Sequence, residues 1–326
     1  MTVPPALAAA VARAAGVQVT GSSRASGGSI NEAWALELAG GGRAFVKTRA
    51  DAAPGEYATE AAGLRWLAQA DAVALPAVLA VGDGDGDGPR FLALEWVDAG
   101  RLDAAGEEEL GRGLAALHVA GAPDFGAPPP GAPLADVPTA GAPLAGAATA
   151  GSPRAAAADA RRAPLRIGEL SLPNDPAADW PTFYARCRLE PLVALCLERR
   201  TLSASGARAV ERVCERIGDL AGPAEPPARL HGDLWGGNVL AGADGRARLI
   251  DPAAYGGHRE VDLAMLRLFG APSERVFAAY DEAAPLADGH RERVELWQLF
   301  PLLVHAALFG GSYGASVERA AVRYVT

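Results

Sequence analysis

The chain has 326 residues, half of them apolar, so it is long enough to bury a large core in one domain or two. Its 39 acidic residues outnumber the 30 basic ones and give a net charge of −9, which argues against nucleic acid or an anionic membrane as the main partner. The three cysteines form no CxxC pair, which is typical of reduced thiols in the cytoplasm. No apolar run approaches the ~18 residues needed to span a bilayer. We therefore expect a soluble, cytoplasmic protein.

Residues 1–97 predict a small antiparallel sheet that carries one long helix. The chain opens on an Ala-rich helix, after which alternating apolar residues predict strands. Pro54 then opens a helix whose apolar residues recur at helical spacing. A glycine- and serine-rich loop, Ser26–Asn31, separates the first two strands. The predicted strands lie within residues 17–48, 77–81 and 91–97, and the predicted helix covers residues 54–70.

Residues 98–326 predict a second, mainly helical lobe, so the fold class is α+β. One short β-rich stretch, Leu230–Asp251, interrupts the helices. Residues 127–164 are rich in Ala, Gly and Pro and poor in charge. Such a composition buries too little side chain to offset the entropy of ordering, so we predict a mobile insert there. The helices are predicted over residues 107–118, 179–197, 204–220, 261–269, 273–280 and 291–309.

The most informative segment begins at His231-Gly232-Asp233 and ends at Asp251. Asn238 follows Asp233 by five positions, and Asp251 follows Asn238 by thirteen, with an Asp-Gly turn between them. Phosphoryl transfer from ATP requires an aligned hydroxyl and neutralised phosphate charge. One carboxylate can accept the hydroxyl proton, while an amide oxygen and a second carboxylate can hold Mg²⁺. The HxDxxxxN spacing followed by a strand-borne Asp is the catalytic-loop arrangement of kinases.

The alternative for this segment is purely local: Asp233 closes a turn and Asp251 caps the next element. For either aspartate alone that interpretation is favoured. The whole string at this spacing, with a glycine loop and a lysine strand upstream, favours the kinase interpretation.

Lys47 ends the apolar strand Ala44–Lys47 and is the second candidate. In kinases such a lysine binds the α- and β-phosphates of ATP and is oriented by a helix glutamate. Glu60 on the following helix is the predicted partner of Lys47, and Glu56, one turn earlier, is the alternative partner. The alternative is an ordinary strand-end lysine that extends to water.

The glycine-rich loop is a weaker signal. Gly27, Gly28 and Ser29 could cradle a phosphate through their backbone N–H groups. The loop does not match GxGxxG, and the sequence contains no GxxxxGK[ST] motif, which argues against a P-loop nucleotidase.

Taken together, these segments resemble the fructosamine (ketosamine) kinase family. Aminoglycoside and choline kinases share the His-Gly-Asp and Ile-Asp-Pro elements, but they usually lack Trp235 and the Tyr255–Glu260 run. The resemblance covers roughly residues 17–126 and 166–313, and it is carried by Gly27–Asn31, Phe45–Thr48, Glu60–Leu64, His231–Asn238 and Asp251–Met265.

The resemblance implies a two-lobed, protein-kinase-like fold, with residues 1–97 as the nucleotide-binding lobe and residues 98–326 carrying the catalytic loop and the acceptor site. It implies transfer of the ATP γ-phosphate to the sugar 3-hydroxyl of a ketosamine, either a fructosamine or a ribulosamine, free or on a glycated lysine. The unstable product then releases the amine. The implied roles are base for Asp233, Mg²⁺ ligand for Asn238 and Asp251, and nucleotide binding for Lys47 with Glu60.

The resemblance also implies several supporting roles. Leu94–Val97 becomes the hinge beside adenine, so Glu95 and Val97 are further nucleotide contacts, and Asp262 buttresses the catalytic loop. Independently of the resemblance, the sequence pattern favours core packing for Trp297, which lies in an apolar helix, and structural roles for His118 and His305. The candidates for the acceptor side are Trp235, His258 and Arg259.

Two other functions remain open. The first is another small-molecule kinase of the same fold, acting on an aminoglycoside, a choline-like alcohol or a different sugar. The second is a pseudokinase that serves as a binding module. The joint presence of Lys47, Asp233, Asn238 and Asp251 argues against the pseudokinase.

Overall fold

Two lobes make up the structure, a computed structural model that describes residues 2–25, 31–84, 88–134, 162–270 and 272–325. The predictions for Gly27, Gly28 and Ser29, and for most of the proposed insert, therefore lie outside the described residues. The architecture is the predicted one: an antiparallel sheet in the N-terminal lobe and mostly helices in the C-terminal lobe.

The N-terminal lobe is a five-stranded antiparallel sheet in the order β1-β2-β3-β5-β4. Its strands are β1 (Val19–Arg24), β2 (Glu32–Leu38), β3 (Arg43–Thr48), β4 (Val78–Asp83) and β5 (Arg90–Glu95), and its helices are α1 (Pro5–Ala15) and α2 (Glu56–Ala68). Side-chain alternation divides each strand between the two faces. In β5, Phe91 and Ala93 join the cluster that contains α1, whereas Leu92 and Leu94 pack with Tyr57 of α2.

The C-terminal lobe surrounds one largely buried helix, α9. Its helices are α3 (Ala104–Val119), α4 (Trp180–Tyr184), α5 (Glu190–Glu198), α6 (Ala204–Leu220), α7 (Glu260–Leu268), α8 (Glu274–Ala283), α9 (Val294–Phe309) and α10 (Tyr313–Val322). Trp297 of α9 is fully buried, which confirms its predicted core position. No helix in the described ranges is long and apolar enough to cross a bilayer.

Short strands pair two by two within this lobe. They are β6 (Leu165–Ile167) with β7 (Leu170–Leu172), β8 (Ala228–Leu230) with β11 (Tyr255–Gly257), and β9 (Val239–Ala241) with β10 (Ala247–Leu249). The β9–β10 hairpin confirms the turn predicted between Asn238 and Asp251. The β6–β7 hairpin and β11 were not predicted, because three residues are too few to reveal an alternating pattern. The ten-residue helix α10 was also not predicted.

The described ends of the predicted insert pack against the C-terminal lobe. Ala127 and Ala163 are both buried. The carbonyl oxygen of Ala127 accepts a hydrogen bond from the Gly256 N–H at 2.9 Å, and that of Ala163 accepts one from Asn174 Nδ2 at 2.9 Å. Composition cannot reveal these partners because both lie outside the Ala-, Gly- and Pro-rich segment. The segment left for an insert is therefore narrower than residues 127–164.

Candidate active site

A cavity of about 190 Å³ lies between the lobes and contains the predicted catalytic side chains. Strand β3 and helix α2 form its wall on the N-terminal lobe. The loops that follow β8 and β10 form part of the opposite wall, together with the β6–β7 hairpin. Its charged lining residues are Lys47, Arg49, Glu56, Glu60, Arg166, Asp233 and Asp251.

Lys47 is buried, and its ammonium group lies between two carboxylates. Nζ is 2.5 Å from Glu60 Oε2 and 2.9 Å from Asp251 Oδ1. Burial alone would lower the Lys47 pKa, but the two carboxylates outweigh it and raise that pKa, so the lysine stays charged. Glu56 binds Arg49 instead, with 2.9 Å between Nη2 and Oε2. Of the two glutamates left open by the sequence, Glu60 is therefore the partner of Lys47.

Asp262, at the start of α7, holds the catalytic loop through the backbone. Its Oδ2 accepts the His231 N–H at 2.7 Å, and its Oδ1 accepts the Gly232 N–H at 2.9 Å. Gly232 has φ +80°, and a Cβ there would lie 1.9 Å from the carbonyl oxygen of Ala253, so only glycine fits. On the other side, His118 Nε2 is 3.3 Å from Asp262 Oδ2. These contacts match the buttressing role expected for Asp262.

We expect Asp262→Asn to lower the free energy of unfolding by about 1–3 kcal/mol. The amide cannot accept hydrogen bonds from both backbone N–H groups, so one buried donor is left unpaired. Activity should fall through kcat, since the loop that carries Asp233 loses its support, while the KM for ATP changes little. Urea unfolding and steady-state kinetics measure the two effects. Asp219→Asn, on the exposed face of α6, is the control. A stable variant with normal kcat would contradict the buttressing role.

His231 joins the two segments of the catalytic centre. The fully buried ring has Nε2 3.0 Å from the carbonyl oxygen of Ile250, and its Nδ1 accepts the Asp233 N–H at 3.3 Å. Burial lowers the pKa of this imidazole, which favours the neutral tautomer that donates from Nε2. The histidine therefore fixes the backbone at Asp233 relative to the residue before Asp251.

Asp233 has the electrostatics of a proton acceptor. The pKa of Asp233 is raised to about 7. Burial is the largest cause, and the nearby carboxylates of Asp251 and Asp262 act in the same direction. Asn238 works in the opposite direction by donating from Nδ2 to Asp233 Oδ2 at 3.1 Å. A pKa near the working pH suits a group that must take up a proton and release it again.

The donor atoms around Asn238 and Asp251 fit a hard divalent cation. The Nδ2 of Asn238 is used by Asp233, which leaves the amide oxygen as a possible metal ligand. Asp251 has a half-exposed carboxylate and a left-handed backbone, with φ +53°. The Ile250 N–H donates to the Asn238 carbonyl oxygen at 3.1 Å, so the two residues lie at the same end of the hairpin. Oxygen ligands of this kind are preferred by Mg²⁺.

The predicted hinge connects the lobes at the end of β5. Glu95 is paired with the segment before β4, since its N–H donates to the Ala77 carbonyl oxygen at 2.8 Å and its side chain accepts the Ala77 N–H at 3.2 Å. Val97 comes two residues after Glu95, where the sheet has ended. Neither residue lines the cavity around Asp233. An adenine at this hinge would therefore lie outside that cavity.

The three acceptor-side candidates are not brought together. Trp235 is 39% exposed beside the catalytic loop and packs edge-on against Phe269, with 6.3 Å between ring centroids. It does not line the cavity.

His258 and Arg259 lie away from the cavity and are used in packing. His258 is buried and stacks on Trp297 with ring centroids 5.5 Å apart. Arg259 makes a two-pronged ion pair with Glu225, at 2.6 and 2.8 Å. The prediction that these two residues contact the acceptor is not supported, because partners distant in sequence turn both side chains into the lobe.

Two further cavity residues, Arg166 and Asn174, carried no signal in the sequence, whereas Asn31 ends the glycine- and serine-rich loop that the sequence singled out. Arg166 and Asn174 come from the β6–β7 region, and Asn31 accepts a hydrogen bond from the Tyr57 hydroxyl at 3.1 Å. His118 and His305 have the predicted structural roles, bonding to the Tyr280 hydroxyl and the Pro301 carbonyl oxygen, each at 2.8 Å. Arg166 and Asn174 are identified as cavity residues only by their position in the structure.

Known proteins match this chain over most of its length. A probable ketoamine kinase of Thermus thermophilus is 34% identical over 313 residues, covering 95% of this chain and 97% of its own. The crystal structure of a putative fructosamine-3-kinase from Thermobifida fusca superimposes with a TM-score of 0.80 at 40% identity, covering 97% of this chain and 98% of that one. Choline kinase from Streptococcus pneumoniae shares the fold alone, with a TM-score of 0.54 at 16% identity over 94% of this chain and 92% of that one.

A family model described as fructosamine kinase matches residues 5–129 and 163–326. The match is interrupted inside the segment whose composition predicted an insert. On both sides of this gap it includes the residues that converge on the cavity between the lobes. The chain therefore belongs to the fructosamine kinase family.

Proposed function

We propose that this chain transfers the γ-phosphate of Mg²⁺-bound ATP to the sugar 3-hydroxyl of a ketosamine, a fructosamine or ribulosamine that is free or attached to lysine. The family makes it an ATP-dependent kinase. The observation that supports this chemistry most directly is the convergence of Lys47, Glu60, Asp233 and Asp251 on one cavity. The ketosamine acceptor is inferred from the names of its relatives.

In this proposal Asp233 accepts the proton of the acceptor hydroxyl as its oxygen attacks the γ-phosphorus. The bond from that phosphorus to the β–γ bridging oxygen breaks, and ADP leaves. Lys47, oriented by Glu60, binds the α- and β-phosphates of the nucleotide. Asn238 and Asp251 would hold Mg²⁺, which supplies charge neutralisation for the phosphates when bound. The phosphorylated ketosamine then breaks down and the amine is released. A cytoplasmic location stays a prediction.

Incubation with ATP and Mg²⁺ tests the acceptor. We expect phosphorylation of synthetic ribulosyl-lysine or fructosyl-lysine, with NMR placing the phosphate on the sugar 3-hydroxyl. An aminoglycoside and choline serve as competing acceptors. Turnover of only those two, or phosphate at another position, would reject the ketosamine assignment and leave the kinase fold in place.

A further inference from the structure

Arg166 is a cation in the catalytic cavity that the proposed reaction does not use. It lies on β6 and lines the same cavity as Asp233 and Asp251. The side chain is partly buried, and the one hydrogen bond that it makes to the described residues runs from Nη2 to the Pro54 carbonyl oxygen at 3.3 Å. No carboxylate of the described residues is within ion-pairing distance of its guanidinium. Most of its N–H donors therefore have no partner among the described residues.

The other cations of the cavity already have counter-charges. Lys47 is held by Glu60 and Asp251, as described above. Arg49 Nε is 2.7 Å from an Asp51 carboxylate oxygen, and Arg49 Nη2 is bound by Glu56. Among the described cavity residues, Arg166 is the cation without a carboxylate partner. A guanidinium in this state presents a planar fork of donors that matches a carboxylate in two-pronged geometry.

The position of Arg166 favours a carboxylate of the acceptor over a phosphate of the nucleotide. The described residues that are proposed to contact the phosphates and the metal come from β3, α2 and the two ends of the β9–β10 hairpin. Arg166 comes from a different element, the β6–β7 hairpin, and it touches the segment just before α2. The hinge residues Glu95 and Val97 do not line this cavity. Arg166 thus lies on a wall that the expected adenine and phosphate contacts leave free.

We propose that Arg166 binds a carboxylate on the amine portion of the acceptor, so that the favoured substrate is the ketosamine of a free amino acid. This inference rests on the proposed function. A ketosamine on an internal lysine of a protein has no carboxylate of its own beside the sugar. Arg166 would therefore determine specificity, and it takes no part in the proton transfer.

Two acceptors that differ only in charge test this proposal. They are 1-deoxyfructosyl-glycine and 1-deoxyfructosyl-glycinamide, each compared by kcat/KM at saturating Mg·ATP. We expect the wild-type enzyme to prefer the carboxylate by about 10- to 100-fold, the range of one charge-assisted contact. In Arg166→Met this preference should vanish through loss of activity on the carboxylate alone. Arg166→Lys should retain part of the preference for the carboxylate, because lysine keeps the positive charge.

The matched control is Arg212→Met, an exposed arginine on α6 that should leave the preference unchanged. Equal wild-type turnover of the two acceptors would overturn the carboxylate site while leaving the ketosamine kinase function standing. A raised KM for ATP in Arg166→Met would show that the side chain binds the nucleotide instead. Equal losses of kcat/KM on both acceptors would show that it serves folding. Phosphorylation of neither acceptor, nor of any other ketosamine, would reject the inference and the proposed function together.

Discussion

Asp233→Ala is expected to reduce phosphoryl transfer by about 10²- to 10⁴-fold, the range attributed to a positioned general base. The variant should still bind Mg·ATP, because the residues proposed to contact the nucleotide and the metal are unchanged. The coupled release of ADP measures the rate, and isothermal titration measures nucleotide affinity. Near-normal turnover would show that another group accepts the proton.

Melting temperatures at two pH values test whether the pKa of Asp233 is raised in the folded protein. The Asp233 pKa is raised from 3.8 to about 7 in the folded chain, so the folded state favours the protonated form. This contribution to stability is fully present below about pH 3.8, decreases above that value, and is lost once the pH has risen through about 7. Asp233→Asn removes the charge and keeps an acceptor for Asn238. It should therefore melt at least about 2 °C above the wild type at pH 8.5, with a smaller or reversed difference at pH 5. A lower melting temperature at pH 8.5 would contradict the raised pKa.

Asp251→Asn should weaken the binding of Mg·ATP by about 10- to 100-fold and change metal-free ATP much less. The substitution removes the negative charge proposed to hold Mg²⁺, and the loss of one charge-assisted contact has this size. It also removes one of the two carboxylates beside Lys47, whose ammonium keeps Glu60 as a partner. Titrations with and without Mg²⁺ measure the difference.

Asp244→Asn is the matched control, because Asp244 lies on the same hairpin, binds Arg248 at 2.9 Å and does not line the cavity. It should leave nucleotide affinity unchanged in both buffers. Equal weakening of ATP with and without Mg²⁺ in Asp251→Asn would assign that carboxylate to the orientation of Lys47 rather than to the metal.

The linear order of residues was enough to predict the catalytic centre. Asp233, Asn238 and Asp251 are separated by short spacings within one loop and one hairpin, so local geometry brings them together without help from distant segments. The alternation of apolar residues likewise predicted the strands of the N-terminal lobe. In β3, β4 and β5, side chains on one face pack in the cluster with α1 and those on the other face pack in the cluster with α2. These predictions needed only patterns of residues that are close along the chain, although the sheet itself also pairs distant strands such as β3 and β5.

Choices between equivalent residues were decided by contacts between distant parts of the chain. Glu56 and Glu60 lie one helical turn apart and are equally placed by periodicity. Arg49 binds Glu56 and thereby leaves Glu60 to Lys47. No pattern in α2 indicates this outcome, because it depends on how β3 and α2 pack.

The acceptor side depended on tertiary structure most of all. His258 lies in a family signature but stacks on Trp297, some forty positions away, and so turns from the cavity. Arg166 belongs to a strand too short to predict, yet it lines the cavity with Asp233, from which it is separated by more than sixty positions. The sequence by itself predicted the two lobes and the group of residues proposed for phosphoryl transfer, because these predictions rest on local spacing. Which side chains face the acceptor was decided only when the β6–β7 hairpin packed against the cleft, since burial and charge pairing there join segments that are remote in sequence.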